Sequence, residues 1–133
     1  MLPNNTDGSW EALLRKQLGK PYGFGSKWKT GDANPTGPVD CSGFTKWAYS
    51  LWNGKYLPPG SQAQYDMGTL GLATYGALGF FATGRDPKKV HHVGILLNDD
   101  VIEARGKPYN EVILRPRVKW EAWKEFVGWY SYK

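Results

Sequence analysis

The 133-residue chain has a single cysteine, Cys41, so no internal disulfide can stabilise its fold. One hydrophobic core has to do this instead, and 41% of the residues are hydrophobic, with seven tryptophans and eight tyrosines in the chain. We therefore expect residues 1–133 to form a single domain. Most of its large rings should fill the core, while a few line a groove for sugar rings or peptide.

Helical patterns lie in the first half of the chain. Ser9 can cap a first helix, and Gly19 ends it. The apolar stripe of this helix consists of Trp10, Leu13, Leu14 and Leu18. A longer helix begins after Asp40, a plausible N-cap, and ends at Asn53-Gly54. Its buried face consists of Phe44, Trp47, Ala48, Leu51 and Trp52. Residues 22–39, rich in glycine, proline, asparagine and aspartate, are predicted to form a long loop between the two helices.

Strand patterns fill the second half, after a short predicted helix at residues 61–67. Apolar runs predict strands at residues 77–82, 90–97, 101–104, 112–114 and 126–132. A hairpin turn is predicted at Asn98-Asp99-Asp100 and a helical turn near residues 120–125. Helices followed by strands with short links are typical of an α+β domain with an antiparallel sheet.

The net charge of +5 suits an anionic partner such as nucleic acid, teichoic acid or a negatively charged membrane surface. The basic residues are scattered, so charge alone is weak evidence for nucleic-acid binding. No apolar run approaches the roughly 18 residues needed to cross a bilayer, so we expect no stable membrane insertion. Residues 1–5 lack the basic and apolar regions of a signal peptide. We therefore expect a protein that works in the cytosol, is exported without a signal, or is an excised domain.

Cys41 lies in Asp40-Cys41-Ser42-Gly43, at the predicted first turn of the longer helix. The positive end of the helix dipole favours thiolate over thiol there, and free backbone N–H groups of the first turn can hold an oxyanion. Small polar neighbours leave the sulfur reachable. The alternative is a buried structural cysteine, since free cysteines are often buried.

Two adjacent histidines, His91 and His92, lie in the strand predicted at residues 90–97. Neighbouring strand residues point to opposite faces, so we expect only one of them to serve a site, which argues against a two-histidine metal centre. If the turn that follows has two or four residues, Glu103 lies on the His92 face, diagonally about 7–8 Å away at Cα. A three-residue turn would place Glu103 on the His91 face.

Cys41, one histidine and Glu103 would supply a nucleophile, its base and an orienting group. The alternatives are histidines that are merely hydrogen-bonded or exposed, and a solvated strand glutamate. Tyr22 lies in the loop that leads to Cys41, where its phenol can donate to a developing oxyanion or simply pack. We assign Tyr22, Ser42 and Asp40 to oxyanion stabilisation and substrate binding.

Four segments together resemble the NlpC-type cell-wall peptidases, a papain-like family of cysteine hydrolases. They are residues 19–25 (Gly-Lys-Pro-Tyr-Gly-Phe-Gly), 40–44 (Asp-Cys-Ser-Gly-Phe), 92–95 (His-Val-Gly-Ile) and 101–104 (Val-Ile-Glu-Ala). The match selects His92 as the base and puts Glu103 at the third catalytic position. Weaker similarity extends to the helix with Gln62 and Gln64, to residues 78–81 and to residues 126–128.

The resemblance has three departures. The family usually has His, Asn or Gln at the third position, whereas Glu103 stands here, as in the related CHAP amidases and peptidases. A carboxylate can still accept from the imidazole N–H. Gly76-Ala77 replaces the usual Pro-Gly-Asp, and the loop at residues 22–41 is longer than typical, which affects the substrate groove more than the catalytic residues.

The resemblance implies a papain-like α+β fold, with N-terminal helices on an antiparallel sheet of about five or six strands and Cys41 at a helix N-terminus. It implies hydrolysis of an amide bond in bacterial peptidoglycan stem peptides, most commonly between D-glutamyl and a diamino acid. Cys41, His92 and Glu103 would carry the reaction without a metal or other cofactor. We expect a monomeric catalytic domain without a nucleic-acid partner, phage-encoded or made in the cytoplasm and delivered to the cell wall. A phage lysin, a tail-associated lysin module and an injected antibacterial effector all fit this description.

Three alternatives remain. One is a CHAP-like amidase that cuts between sugar and stem peptide. Another is a wall-binding module that keeps the fold and has lost activity. The third is a basic, aromatic nucleic-acid binder, which would show steeply salt-dependent binding.

Overall fold

A computed structural model describes residues 9–132, so the expected lack of a signal peptide at residues 1–5 concerns residues outside this range. Three helices come first: α1 (Ser9–Arg15), α2 (Cys41–Trp52) and α3 (Ser61–Met67). The strands are β1 (Thr69–Gly71), β2 (Leu78–Ala82), β3 (Val90–Leu96), β4 (Asp100–Arg105), β5 (Glu111–Pro116) and β6 (Phe126–Ser131). A 3₁₀ turn at Thr83–Arg85 follows β2, and a short helix, α4 (Arg117–Ala122), precedes β6.

All six strands belong to one antiparallel sheet with the order β1-β6-β2-β3-β4-β5. Helices α2 and α3 pack on β3, and α2 also reaches β4. Helix α2 therefore lies against β3 and β4, the neighbouring strands that carry the histidines and Glu103. This architecture confirms the predicted α+β fold with five or six strands. That residues 1–133 form one catalytic domain stays a prediction.

Helix α2 begins and ends where its sequence predicts. Asp40 has extended backbone angles, and its carboxylate accepts from the Gly43 amide at 2.7 Å, which is an N-cap. Asn53 is the residue that ends the helix. The predicted face is mostly buried, with Phe44, Trp47 and Ala48 fully inaccessible.

Helix α1 is shorter than the sequence predicts. It ends at Arg15, so Leu18 falls in the following turn and is 39% exposed rather than part of the buried stripe. Trp10 and Leu14 are buried as expected, and Trp10 Nε1 donates to the carbonyl of Ala48 in α2 at 2.9 Å. The predicted helical turn near residues 120–125 is also displaced, because the helix runs from Arg117 to Ala122.

The hairpin between β3 and β4 has the two-residue turn that places Glu103 on the His92 face. Ile95 pairs with Ile102 and Leu96 with Val101, and the amide of Leu97 donates to the carbonyl of Asp100. Asn98 and Asp99 are thus the turn residues. Continuing this register sets position 103 diagonal to position 92, which confirms the predicted parity.

Strict alternation fails at the histidine pair. Phe81 of β2 pairs with His92, whereas the next residue, Ala82, pairs with Val90. His91 is therefore the additional residue of a β-bulge, which removes the assumption that His91 and His92 face opposite sides. Both histidines therefore line the same groove, and the expectation that only one of them serves the site stays a prediction.

Aromatic rings fill most of the interior, as the composition predicts. Five of the seven tryptophans are buried: Trp10, Trp28, Trp47, Trp120 and Trp129. Trp52 is half-buried and stacks on Trp10, whereas Trp123 is 44% exposed. Among residues 9–132, no helix combines the length and apolar character needed to cross a membrane.

Candidate active site

Cys41 is the first residue of α2 and is 8% exposed. The Asp40 cap occupies two donors of the first turn, because its carboxylate accepts from Gly43 and its carbonyl from Phe44. The amides of Cys41 and Ser42 have no acceptor within the helix, as at every helix start. These two N–H groups lie beside the sulfur and are the natural donors to an oxyanion formed on it.

The long loop before α2 is held against the start of the helix. The amide of Asp40 donates to the Ser26 carbonyl at 2.8 Å, and Lys27 Nζ donates to the Asp40 carboxylate. Lys27 Nζ also lies 3.4 Å from Ser42 Oγ. Gly43 permits this contact, since a Cβ there would come within 2.8 Å of the Ser26 oxygen.

The side chains of Asp40 and Ser42 are therefore engaged in holding the start of α2. Both residues are buried, at 7% and 3% exposure. Their predicted part in substrate binding stays a prediction. Sequence reasoning missed Lys27, because a lysine 13 residues before a cap gives no local signal.

His92 connects Cys41 to Glu103. Its Nε2 lies 2.7 Å from Glu103 Oε1, and the Cys41 side chain is near enough to the ring to affect its pKa. Since Nε2 faces Glu103, Nδ1 is the ring nitrogen left for the sulfur. Burial acts to lower the pKa of His92, but the hydrogen bonds and negative charges of Cys41 and Glu103 outweigh it and raise the pKa to about 9. The site thus favours a protonated imidazole beside the Glu103 carboxylate.

Glu103 is fully buried but has three hydrogen-bonding partners. Besides His92, Arg105 Nη1 reaches Oε1 at 3.1 Å, and Trp120 Nε1 donates to Oε2 at 2.8 Å. Burial alone would raise the pKa of Glu103, but its bonds to His92 and Trp120 and the charge of Arg105 lower it. A buried carboxylate kept ionised in this way can orient His92 and stabilise its protonated form.

Two glycines make room for the Trp120 ring under Glu103. A Cβ at Gly94 would meet this ring at 2.7 Å, and one at Gly79 would meet it at 3.0 Å. Gly94 belongs to the His-Val-Gly segment of the sequence analysis, so this segment supplies the histidine and space for the tryptophan that holds its partner. Sequence reasoning missed Trp120 and Arg105. The parity argument that located Glu103 could have found Arg105, two residues further along β4.

Tyr22 is half-buried near Cys41, as the sequence predicts. Burial, followed by the negative charges of Cys41 and Asp40, raises the pKa of Tyr22 to about 12. Its phenol therefore keeps its proton at neutral pH and can donate it in a hydrogen bond. The ring also lies against Gly106, where a Cβ would approach it to 3.5 Å.

His91 is exposed and stands outside this arrangement. Its Nε2 lies 2.9 Å from Glu125 Oε1 rather than near the sulfur. Within residues 9–132, no group of three or more His, Cys, Asp and Glu side chains gathers in a way that could hold a metal ion.

Comparison with known proteins identifies the fold and the family. A model of the NlpC/P60 family matches residues 19–127, which is most of the chain and includes Cys41, His92 and Glu103. The chain therefore belongs to the NlpC/P60 family. An NlpC/P60 family protein of Bacillus cereus superposes with a TM-score of 0.79 at 24% identity, over 98% of this chain and 41% of that protein.

Two further relatives are hydrolytic enzymes by name. The peptidoglycan hydrolase RipB of Mycobacterium tuberculosis superposes with a TM-score of 0.70 at 27% identity, over 96% of this chain and 65% of that one. A probable endopeptidase of Corynebacterium glutamicum is 47% identical over 57 residues, which are 41% of this chain and 22% of that protein. The chain thus spans about a fifth of the length of this curated relative.

Proposed function

We propose that this protein is a cysteine peptidase that hydrolyses an amide bond in the stem peptide of bacterial peptidoglycan, between D-glutamyl and a diamino acid. The observation that carries the proposal is His92, hydrogen-bonded to Glu103 and next to Cys41 at the N-terminus of α2. Membership of the NlpC/P60 family and the similarity to a peptidoglycan hydrolase and a probable endopeptidase support the substrate class.

The residues suggest how the reaction proceeds. The Cys41 thiolate attacks the scissile carbonyl carbon, and the Cys41 and Ser42 amides with the Tyr22 hydroxyl receive the oxyanion. Protonated His92 gives its proton to the leaving amine, which leaves an acyl group on the sulfur. Neutral His92 then takes a proton from water, which attacks the acyl carbon and releases the acid and the thiolate. Glu103 holds the ring throughout.

The test is hydrolysis of purified cell walls by the wild type beside Cys41→Ala. The proposal predicts new amino termini on the diamino acid and new D-glutamyl carboxyl ends. Cys41→Ala should lose on the order of 10⁴-fold or more of the rate. Free N-acetylmuramic acid ends would instead identify the CHAP-like amidase. An absence of products from every wall, together with wall binding, would identify the silent module. The net positive charge of the protein suits binding to a polyanionic cell wall. That the protein is phage-encoded stays a prediction.

A further inference from the structure

A groove of about 230 Å³ lies beside His92. This base-side groove is lined by His91, His92, Arg105, Lys107, Trp123 and Glu125 among others, but not by Cys41 or Tyr22. In the proposed reaction His92 protonates the leaving amine. The amine half of the substrate therefore departs over the imidazole and into the base-side groove.

The sheet order places opposite charges at the two sides of the base-side groove. Strand β3, which carries the histidines, lies between β2 and β4, and β6 follows on the far side of β2. Glu125 directly precedes β6, and its carbonyl accepts from the amide of Ala82 at the end of β2. Lys107 follows the end of β4. A ligand across the base-side groove meets a carboxylate on one side of His92 and an ammonium on the other.

Glu125 is available as an anion. Its hydrogen bond to His91, aided by those from Trp123 and the Gly84 backbone, lowers the pKa of its carboxyl. A carboxylate offers about four acceptor positions, so one remains beyond these three bonds. The bulge at His91 sets this pair beside the catalytic ring.

Lys107 is the cation of the base-side groove that the protein leaves uncommitted. It is exposed, and within residues 9–132 no carboxylate lies at ion-pair distance from it. Arg105, the other cation, already binds Glu103. The 44% exposed ring of Trp123 also lines the groove and offers an apolar surface for a chain of methylene groups.

We propose that the base-side groove binds the leaving diamino acid, with its side-chain ammonium at Glu125 and a carboxylate at Lys107. This inference rests on the proposed function and adds a selectivity to it. A stem peptide whose side-chain amine is free gains the contact with Glu125, whereas one whose amine is acylated in a cross-link loses the charge. The enzyme should therefore prefer stems that are not cross-linked at the diamino acid.

Matched synthetic peptides test the selectivity. L-Ala–γ-D-Glu–L-Lys is compared with the same peptide acetylated at Nε and with the same peptide amidated at its C-terminus. We expect kcat/KM to be about tenfold or more higher for the free peptide than for either derivative, the size of a charge-assisted hydrogen bond. Equal rates on all three peptides would overturn the inference and leave the proposed function standing.

Charge-neutral variants assign each contact to its residue. Glu125→Gln should abolish discrimination against the acetylated peptide only, and Lys107→Gln discrimination against the amidated peptide only. The controls are Asp99→Asn, at the other end of β3, and Lys119→Gln on the exposed side of α4, both of which should keep the wild-type ratios. The assignment is contradicted if the preference for the free over the acetylated peptide persists in Glu125→Gln, or the preference for the free over the amidated peptide persists in Lys107→Gln. Because ratios within one variant are compared, a change in folding cannot imitate the result.

A binding measurement tests the proposed ligand site independently of the hydrolysis reaction. Titration of Cys41→Ala with the three peptides by calorimetry should give affinities in the same order as the values of kcat/KM. Adding Glu125→Gln or Lys107→Gln to Cys41→Ala should remove the same preference as it does in the active enzyme. If no peptide is cleaved but this charge pattern is present, the hydrolase proposal fails and the ligand site stands. If the peptides are cleaved and the pattern is absent, the ligand site fails alone.

Discussion

Trp120 donates its indole N–H to Oε2 of Glu103 at 2.8 Å, the carboxylate oxygen that His92 does not use. The residue that orients the base is thus itself held by a ring from helix α4, 17 positions later in the chain. This contact lies between a buried charge and a buried donor, so its loss affects both stability and the position of His92.

Trp120→Phe should therefore reduce stability and activity together. The substitution leaves Oε2 buried without its donor, which costs about 1–3 kcal/mol of unfolding free energy. Urea denaturation gives this value, and kcat/KM should fall as His92 becomes less well held. Trp129→Phe is the matched control, since Trp129 donates to Glu121 at 2.8 Å, away from His92. A loss of activity in the control as large as in Trp120→Phe would contradict this account.

The pH dependence of the activity should follow the protonation of His92, whose pKa Glu103 helps to raise. Because the pKa of His92 is raised to about 9, kcat/KM should decline as pH rises through that value, where the leaving amine loses its acid. Glu103→Gln removes one of the two anions that raise this pKa, so the decline should move to lower pH. Glu121→Gln, outside the site, should leave the profile unchanged. A decline at the same pH in all three proteins would show that another group titrates.

The lowered pKa of Glu103 predicts a stability effect in acid. A carboxyl with a folded-state pKa below its ordinary 4.5 binds its proton less tightly in the folded than in the unfolded state. Its stabilising contribution is complete above that ordinary value and disappears as pH falls through the lowered pKa. The free energies of unfolding of the wild type and Glu103→Gln should converge as pH falls from about 6 to about 2. A constant difference over this range would count against an ionised Glu103.

Gly94 has a steric role that a methyl group tests. In Gly94→Ala the new Cβ would lie 2.7 Å from the Trp120 ring and 2.8 Å from Val101, so ring and strand must separate. Such overpacking costs about 1–3 kcal/mol, measurable by denaturation. The control is Gly71→Ala in the exposed strand β1, where nothing lies within 4 Å of the added atom. Equal stabilities of the two variants would mean that Trp120 relocates without cost.

Local chemistry made much of this fold predictable from the sequence. Asp40 and Asn53 mark the ends of α2 because capping and termination depend on neighbouring residues. The side of β4 that carries Glu103 followed from the period of two along a strand and the short turn before it. The site residues that the sequence connects, Cys41, His92 and Glu103, lie on those elements.

Features that depend on distant pairing escaped sequence reasoning. Strand β1 has three exposed residues and no apolar pattern, and it exists because Thr69 pairs with Ser131 and Leu70 with Tyr130. The bulge at His91 arises from the pairing of β3 with β2, so the residues around His91 alone do not predict it. The roles of Trp120 and Lys27 likewise depend on contacts that only the folded chain creates.

The central claim is that Cys41 forms a covalent acyl bond with its substrate. The most direct measurement is mass spectrometry of the intact protein, and then of the Cys41-containing peptide, after acid quenching during turnover of L-Ala–γ-D-Glu–L-Lys. The account predicts a mass increase equal to the L-Ala–γ-D-Glu acyl group, located on Cys41, absent in Cys41→Ala and accumulating in variants slow to deacylate. Hydrolysis that continues in Cys41→Ala, or an acyl group on another residue, would contradict it.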